Sequence, residues 1–326
     1  MRSNRWLGAV LAALLLLVTS LGVIACGDDD DGASGDATTT EQSGAITKNA
    51  DNAATSITIG SKNFTEQKLL GEIYAQALAA AGYTVKTELN LGDEKTALKA
   101  LEGGSISAYP EYTGTALGSF FDVKSDQIPK DPDQAFADAK AGFAEKDLTA
   151  FDPTPFTSSN EVAVTAETAD KLGLQKISDL SDKAKDLTLY GSPECRQRED
   201  CLLGLQRVYG LKFAKFVPVA IDLRHDVLKK GQADVSIVFT TDPQIKRDNE
   251  VLLEDDKGMF PPYNSTLVMR NDVVKKAGSD LPDVVAKATE GLTDEVMQEL
   301  NARVDLDKQT PKAVAAEYLK ESGLVA

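Results

Sequence analysis

Beyond residue 56 the chain alternates short β-branched runs with longer amphipathic ones, and this alternation most limits how it can fold. Residues 57–59 predict a strand. Leu69, Leu70, Ile73, Ala77 and Leu78 then share one face of a helix over 66–81, closed by Gly82. Residues 85–89 read as a second strand, Asp93 opens a helix that stops at Gly103-Gly104, and 106–109 read as a third strand. A βαβαβ run of this kind implies parallel strands joined by helical crossovers. The theme returns with strands over 161–165, 187–191, 216–220, 235–239 and 251–253, and helices near 166–172, 202–209 and 222–230. After Pro261-Pro262 comes one more strand, 265–270. From Asp272 the pattern is helical, with breaks at Gly278, Pro282, Gly291 and Pro311. Helices that end a chain after a final strand often pack back on the first domain. The expectation is an α/β protein of two lobes, one inserted in the other: 56–156 and 260–326 form lobe I, 157–259 form lobe II, and a ligand cleft lies between them.

The first 55 residues are of another kind. Arg2 and Arg5 precede an apolar stretch over 6–18, and Val23-Ile24-Ala25-Cys26 ends it with a small residue before a cysteine. Residues 1–25 read as a lipoprotein signal peptide, with Cys26 lipidated after cleavage. Residues 26–55, which include DDDDGASGDATTTEQSG, hold almost no large apolar side chain and predict a disordered tether. A flexible segment of this length reaches roughly 30 Å root-mean-square. These features place the protein outside the cytoplasm, anchored to the cell membrane by lipid.

Charge and rare residues exclude several functions. A net charge of −16 without any basic stripe argues against nucleic acid as a partner. One histidine, His225, and three cysteines cannot build a His-rich zinc site or a four-cysteine cluster, so no metal or cofactor is expected. No Gly-rich phosphate loop, nucleophile elbow or HExxH helix occurs. His225, on a predicted helix, reads as a solvated surface residue rather than a catalytic base, and no enzyme activity is expected. Cys195 and Cys201 bracket one short loop, and in an exported protein that spacing reads as a local disulfide. Nothing resembles a heptad seam, so a monomer is the default.

Tyrosines stand where strands give way to loops: Tyr109 and Tyr112 in AYPEYTGT, and Tyr263 in FPPYNST. Phe239 ends VSIVF just before Thr240-Thr241-Asp242. Together with GSKNFTEQ over 60–67, ISDL over 177–180 and VAAEYL over 314–319, these segments resemble the substrate-binding proteins of ABC transporters for glycine betaine, carnitine, choline and related osmoprotectants. The resemblance runs from about residue 57 to 324. It implies the type II periplasmic-binding-protein-like fold and an ABC permease as partner.

For the site, the resemblance implies an aromatic cage of Tyr112, Phe239 and Tyr263 around a trimethylammonium group. Such a group has charge but no N–H donor, and aromatic faces attract it at roughly 0.5–2 kcal/mol each. By the same resemblance Lys62 and Arg198, with Thr115 nearby, receive the ligand carboxylate from opposite lobes. Two departures stand out. The family commonly has a further cage tyrosine where this chain reads Thr157-Ser158-Ser159-Asn160-Glu161, so Asn160 and Glu161 become candidates for head-group contacts; and Phe239 replaces a usual tyrosine. The expected function is capture of a quaternary-ammonium or related zwitterionic osmolyte for an ABC importer. The alternatives are a binding protein for another small polar solute, or a tethered sensor module, on the same fold.

Overall fold

The computed structural model describes residues 44–326; the predicted signal peptide, Cys26 and the tether up to residue 43 lie outside the described residues. In chain order the elements begin with β1 (Ser56–Gly60), α1 (Thr65–Ala80), β2 (Thr84–Glu88), α2 (Glu94–Glu102), β3 (Ala108–Tyr112), α3 (Thr113–Phe120), α4 (Pro132–Ala144) and β4 (Leu148–Ala150). Next come β5 (Asn160–Thr165), α5 (Ala166–Leu172), β6 (Thr188–Gly191), α6 (Leu202–Val208), β7 (Lys215–Pro218), α7 (Arg224–Lys229), β8 (Val235–Phe239), α8 (Gln244–Arg247) and β9 (Glu250–Leu253). The chain ends with β10 (Ser265–Arg270), α9 (Asn271–Ala277), α10 (Leu281–Thr289), α11 (Asp294–Asp305) and α12 (Pro311–Glu321).

Two mixed five-stranded sheets result, in the orders β2-β1-β3-β10-β4 and β7-β6-β8-β5-β9. In the first, β1 is parallel to both β2 and β3, as the βαβαβ pattern predicts. In the second, β6 is likewise parallel to β7 and β8. Each sheet also takes in one strand that runs the other way: β10 pairs antiparallel with β3 and β4, and β5 with β8 and β9. Those two strands are the ones the chain enters as it passes from one sheet to the other. The two passages touch, because Thr157 and Asn264 form an antiparallel bridge and Ser158 N–H donates to the Tyr263 carbonyl.

The predicted apolar stripe of α1 is fully buried. Its remaining sides are covered by α10, α11 and α12, so the C-terminal helices do return to the first sheet. The strand predicted at 106–109 begins later and runs on to Tyr112, because pairing with β10 continues until Ser265 stands opposite Tyr112. The sequence pattern carries no assignment over 113–156, where the structure has α3, α4 and β4.

Residues 44–55 correct the tether expectation. Ile46 N–H donates to the Leu324 carbonyl at 2.9 Å, Asn49 caps a 3-10 turn over Ala50–Ala54, and the Asn52 side chain donates to the Ala81 carbonyl at 2.9 Å. A scarcity of large apolar residues predicts disorder, but here capping and backbone hydrogen bonds hold the segment. Gly82, at φ +103°, makes room: a Cβ there would lie 2.3 Å from the Asn49 carbonyl oxygen.

At the start of α3, Gly114 packs against the second passage between the sheets. A Cβ there would stand 2.7 Å from both the Pro261 ring and the Pro262 carbonyl oxygen. Gly114→Ala is expected to displace the segment carrying Tyr263 and to cost about 1–3 kcal/mol, read by chemical denaturation.

Candidate functional site: a cleft between the sheets

In both sheets the parallel strands end toward the same gap. Ligands of open α/β sheets sit beyond the carboxyl ends of such strands, where loops and helix N-termini converge. The gap holds about 730 Å³ of empty space, counting its open mouth. Lys62, Tyr112, Thr115, Asn160, Arg198, Phe239 and Tyr263 all line it. Lys62 follows β1, Tyr112 ends β3, and Thr115 lies in the first turn of α3. Asn160 opens β5, Arg198 follows β6, Phe239 ends β8, and Tyr263 precedes β10.

Three aromatic rings meet on one side. Phe64 stacks on Tyr112 with centroids 6.2 Å apart and planes at 19°, and lies 5.4 Å from Phe239 at 49°. Phe64 belongs to the GSKNFTEQ motif but sequence reasoning did not single it out; its ring lines the same gap. The rings already face cations of the protein. Lys62 Nζ is 4.6 Å from the Tyr112 centroid and 6.0 Å from that of Phe64, while the Arg224 guanidinium is 4.4 Å from that of Phe239.

Each cation has a carboxylate partner. Lys62, 4% exposed, pairs with the buried Glu111. Arg198 makes two hydrogen bonds to Asp200, one to Thr115 at 3.3 Å, and approaches Glu94 at 3.5 Å. Burial alone would push Asp200 up, but Arg198 and the Tyr263 hydroxyl, which donates at 2.6 Å, hold it below the usual carboxylate range. Asn160 donates to the Asp200 carbonyl at 3.1 Å, so its amide and Tyr263 converge on the same residue. The Cys195–Cys201 disulfide closes the loop that carries Arg198.

The remaining residues considered in the sequence fall elsewhere. Tyr109 is fully buried beside the site, its hydroxyl donating to Glu111. Glu161 is absent from the cleft lining, because successive residues of β5 face opposite ways and Asn160 takes the inward position. His225 is not a solvated surface residue. It is 3% exposed and bonded to Asp242 and Glu250, its basicity raised by those carboxylates against the opposing effect of burial. Burial also acts to raise Asp242, yet Arg224 and His225 bring it down to about 2.

With this geometry in place, the comparisons decide the family. The model for the substrate-binding domain of ABC-type glycine betaine transport systems matches residues 55–321. The chain belongs to this family. It is 33% identical to a glycine-betaine-binding protein of Pseudomonas aeruginosa over 83% of this chain and 89% of that one. It is 30% identical to a carnitine transport binding protein of Listeria monocytogenes over 82% and 86%. A crystal structure described as a glycine betaine/carnitine/choline ABC transporter superposes with a TM-score of 0.65 at 29% identity, covering 81% of this chain and 98% of that one. The fold is that of the type II periplasmic binding proteins.

Glu161, on the far side of β5 from the cleft, provides a check on the electrostatics. Burial and the nearby Asp255 push its carboxyl up from 4.5 to about 7. A carboxyl raised in the folded state favours folding when protonated, and that advantage is lost as pH rises from 4.5 through 7. Glu161→Gln is therefore expected to stabilise the protein at pH 8, by up to ~3 kcal/mol, and to leave it nearly unchanged at pH 4. Denaturant titrations at the two pH values would check this.

Proposed function

We propose that this chain captures a small quaternary-ammonium osmolyte of the glycine betaine, carnitine and choline class in the cleft and delivers it to an ABC permease. The observation that carries the reading is the group of three electron-rich ring faces, Phe64, Tyr112 and Phe239, each already attracting a cation of the protein. Tyr263 completes the cage. Lys62, Arg198, Thr115 and Asn160 supply donors for the rest of the ligand.

In this reading residues 56–156 and 260–326 move as one lobe and 157–259 as the other, closing on the ligand to create the form the permease recognises. The protein works outside the cytoplasm as a monomer, without catalysis. Residues 1–25 are its signal peptide, Cys26 carries the lipid, and the stretch from Cys26 to residue 43 is the tether. Among the described residues no helix is long and apolar enough to cross a membrane.

Isothermal titration against glycine betaine, carnitine and choline is expected to give saturable heat with at least one of them; none with any would overturn the assignment. Phe239→Ala should weaken that ligand tenfold or more, equivalent to ~1.4 kcal/mol. Arg198→Ala should weaken a carboxylate-bearing ligand by a similar factor while sparing choline. Equal weakening of both would give Arg198 a purely structural role.

A further inference from the structure

The cleft contains more carboxylates than its cations require. Lys62 is matched by Glu111, Arg198 by Asp200 and Arg224 by Asp242, each pair at hydrogen-bond distance. Glu94 has no cation of its own. It stands in the first turn of α2, 3% exposed, lining both the cleft and the hollow just outside it. One of its oxygens accepts a hydrogen bond from Ser119 at 3.3 Å and lies 3.5 Å from Nη1 of Arg198. That nitrogen belongs to the edge of the guanidinium that Asp200 leaves uncovered, because Asp200 takes Nε and Nη2. Asp93 and Glu194 likewise line both spaces, and the outer hollow adds Asp122 against a single lysine, Lys95, beside Arg198.

We propose that Glu94 is a specificity-determining residue: by covering the open edge of Arg198 and leaving the cleft with surplus negative charge, it favours cationic quaternary-ammonium ligands over zwitterionic ones that bear a carboxylate. The inference rests on the function proposed above and names the charge class within it. A ligand carboxylate that reaches Arg198 must displace Glu94 or lie beside it, and two carboxylates sharing one guanidinium edge repel each other. A ligand such as choline, whose hydroxyl carries no charge, meets no such competition, and the acidic mouth raises its local concentration. Glu94 itself is held ready by its place at a helix N-terminus, where a negative charge is favoured.

The test is the ratio of two affinities measured on the same preparation, which does not depend on the fraction of protein that is active. With the intact protein, the dissociation constant for glycine betaine is expected to exceed that for choline. Glu94→Gln, which keeps the shape and removes the charge, should reduce this ratio at least tenfold, chiefly by tightening glycine betaine. Glu94→Asp, which keeps the charge, should retain most of the preference, and circular dichroism would confirm that both variants fold. A ratio unchanged in Glu94→Gln, or tighter binding of glycine betaine than choline by the intact protein, would overturn the role of Glu94 while leaving the osmolyte reading standing. No binding of either ligand by the intact protein would overturn the role of Glu94, and no binding of carnitine as well would overturn the osmolyte reading with it.

Discussion

A buried carboxylate joins the two halves of this molecule. Glu66, in the first turn of α1, is 3% exposed and accepts hydrogen bonds from Tyr112 at the end of β3, from Asn301 on α11 and from Thr241 just beyond β8. Taking such a group out of water is costly unless its oxygens are satisfied, and burial raises its affinity for a proton against the pull of these three donors. Satisfying it requires the first sheet, the C-terminal helices and the second sheet to come together at one point. The same bond fixes the hydroxyl of Tyr112 and so sets the direction in which its ring faces the cleft.

Around that point the site is organised by pairing. Lys62 and Arg224 lie against aromatic faces on one side and carboxylates on the other, and Arg198 is held by Asp200 and Glu94, so their charges are compensated before any ligand arrives. Breaking one such buried pair leaves its partner uncompensated, a situation that typically costs several kcal/mol. The pairs therefore hold side chains in place more than they add stability. What the cleft offers a ligand is electron-rich ring faces and an excess of negative charge, which suits a cation without N–H donors. Membership of a family of transport-associated binding domains and this chemistry point the same way.

Much of the framework was legible in the sequence because periodicity and turn residues act locally. The stripe of α1, the strand at 235–239 and the C-terminal helices follow from side-chain spacing alone. Residues 44–55 were not legible by composition, since side-chain caps and backbone hydrogen bonds to distant positions hold them. The seven residues singled out by motif line one cleft, whereas Phe64, Glu94 and Arg224 were not singled out. No local pattern marks Phe64, just ahead of a helix, or Glu94, in the first turn of another. His225 reads as a solvated surface residue, yet α7 turns it and Arg224 inward, where Asp242 and Glu250 receive them.

The sequence by itself determined the elements, their order and the chemical types available at the strand ends, because these depend on neighbours a few residues apart. The tertiary structure alone decided which charge meets which. Lys62 and Glu111 lie 49 residues apart in the chain and Glu66 and Asn301 lie 235 apart, and no local pattern records such partnerships. They exist because two sheets, each completed by a strand that arrives from the other, place the ends of their parallel strands on either side of one gap.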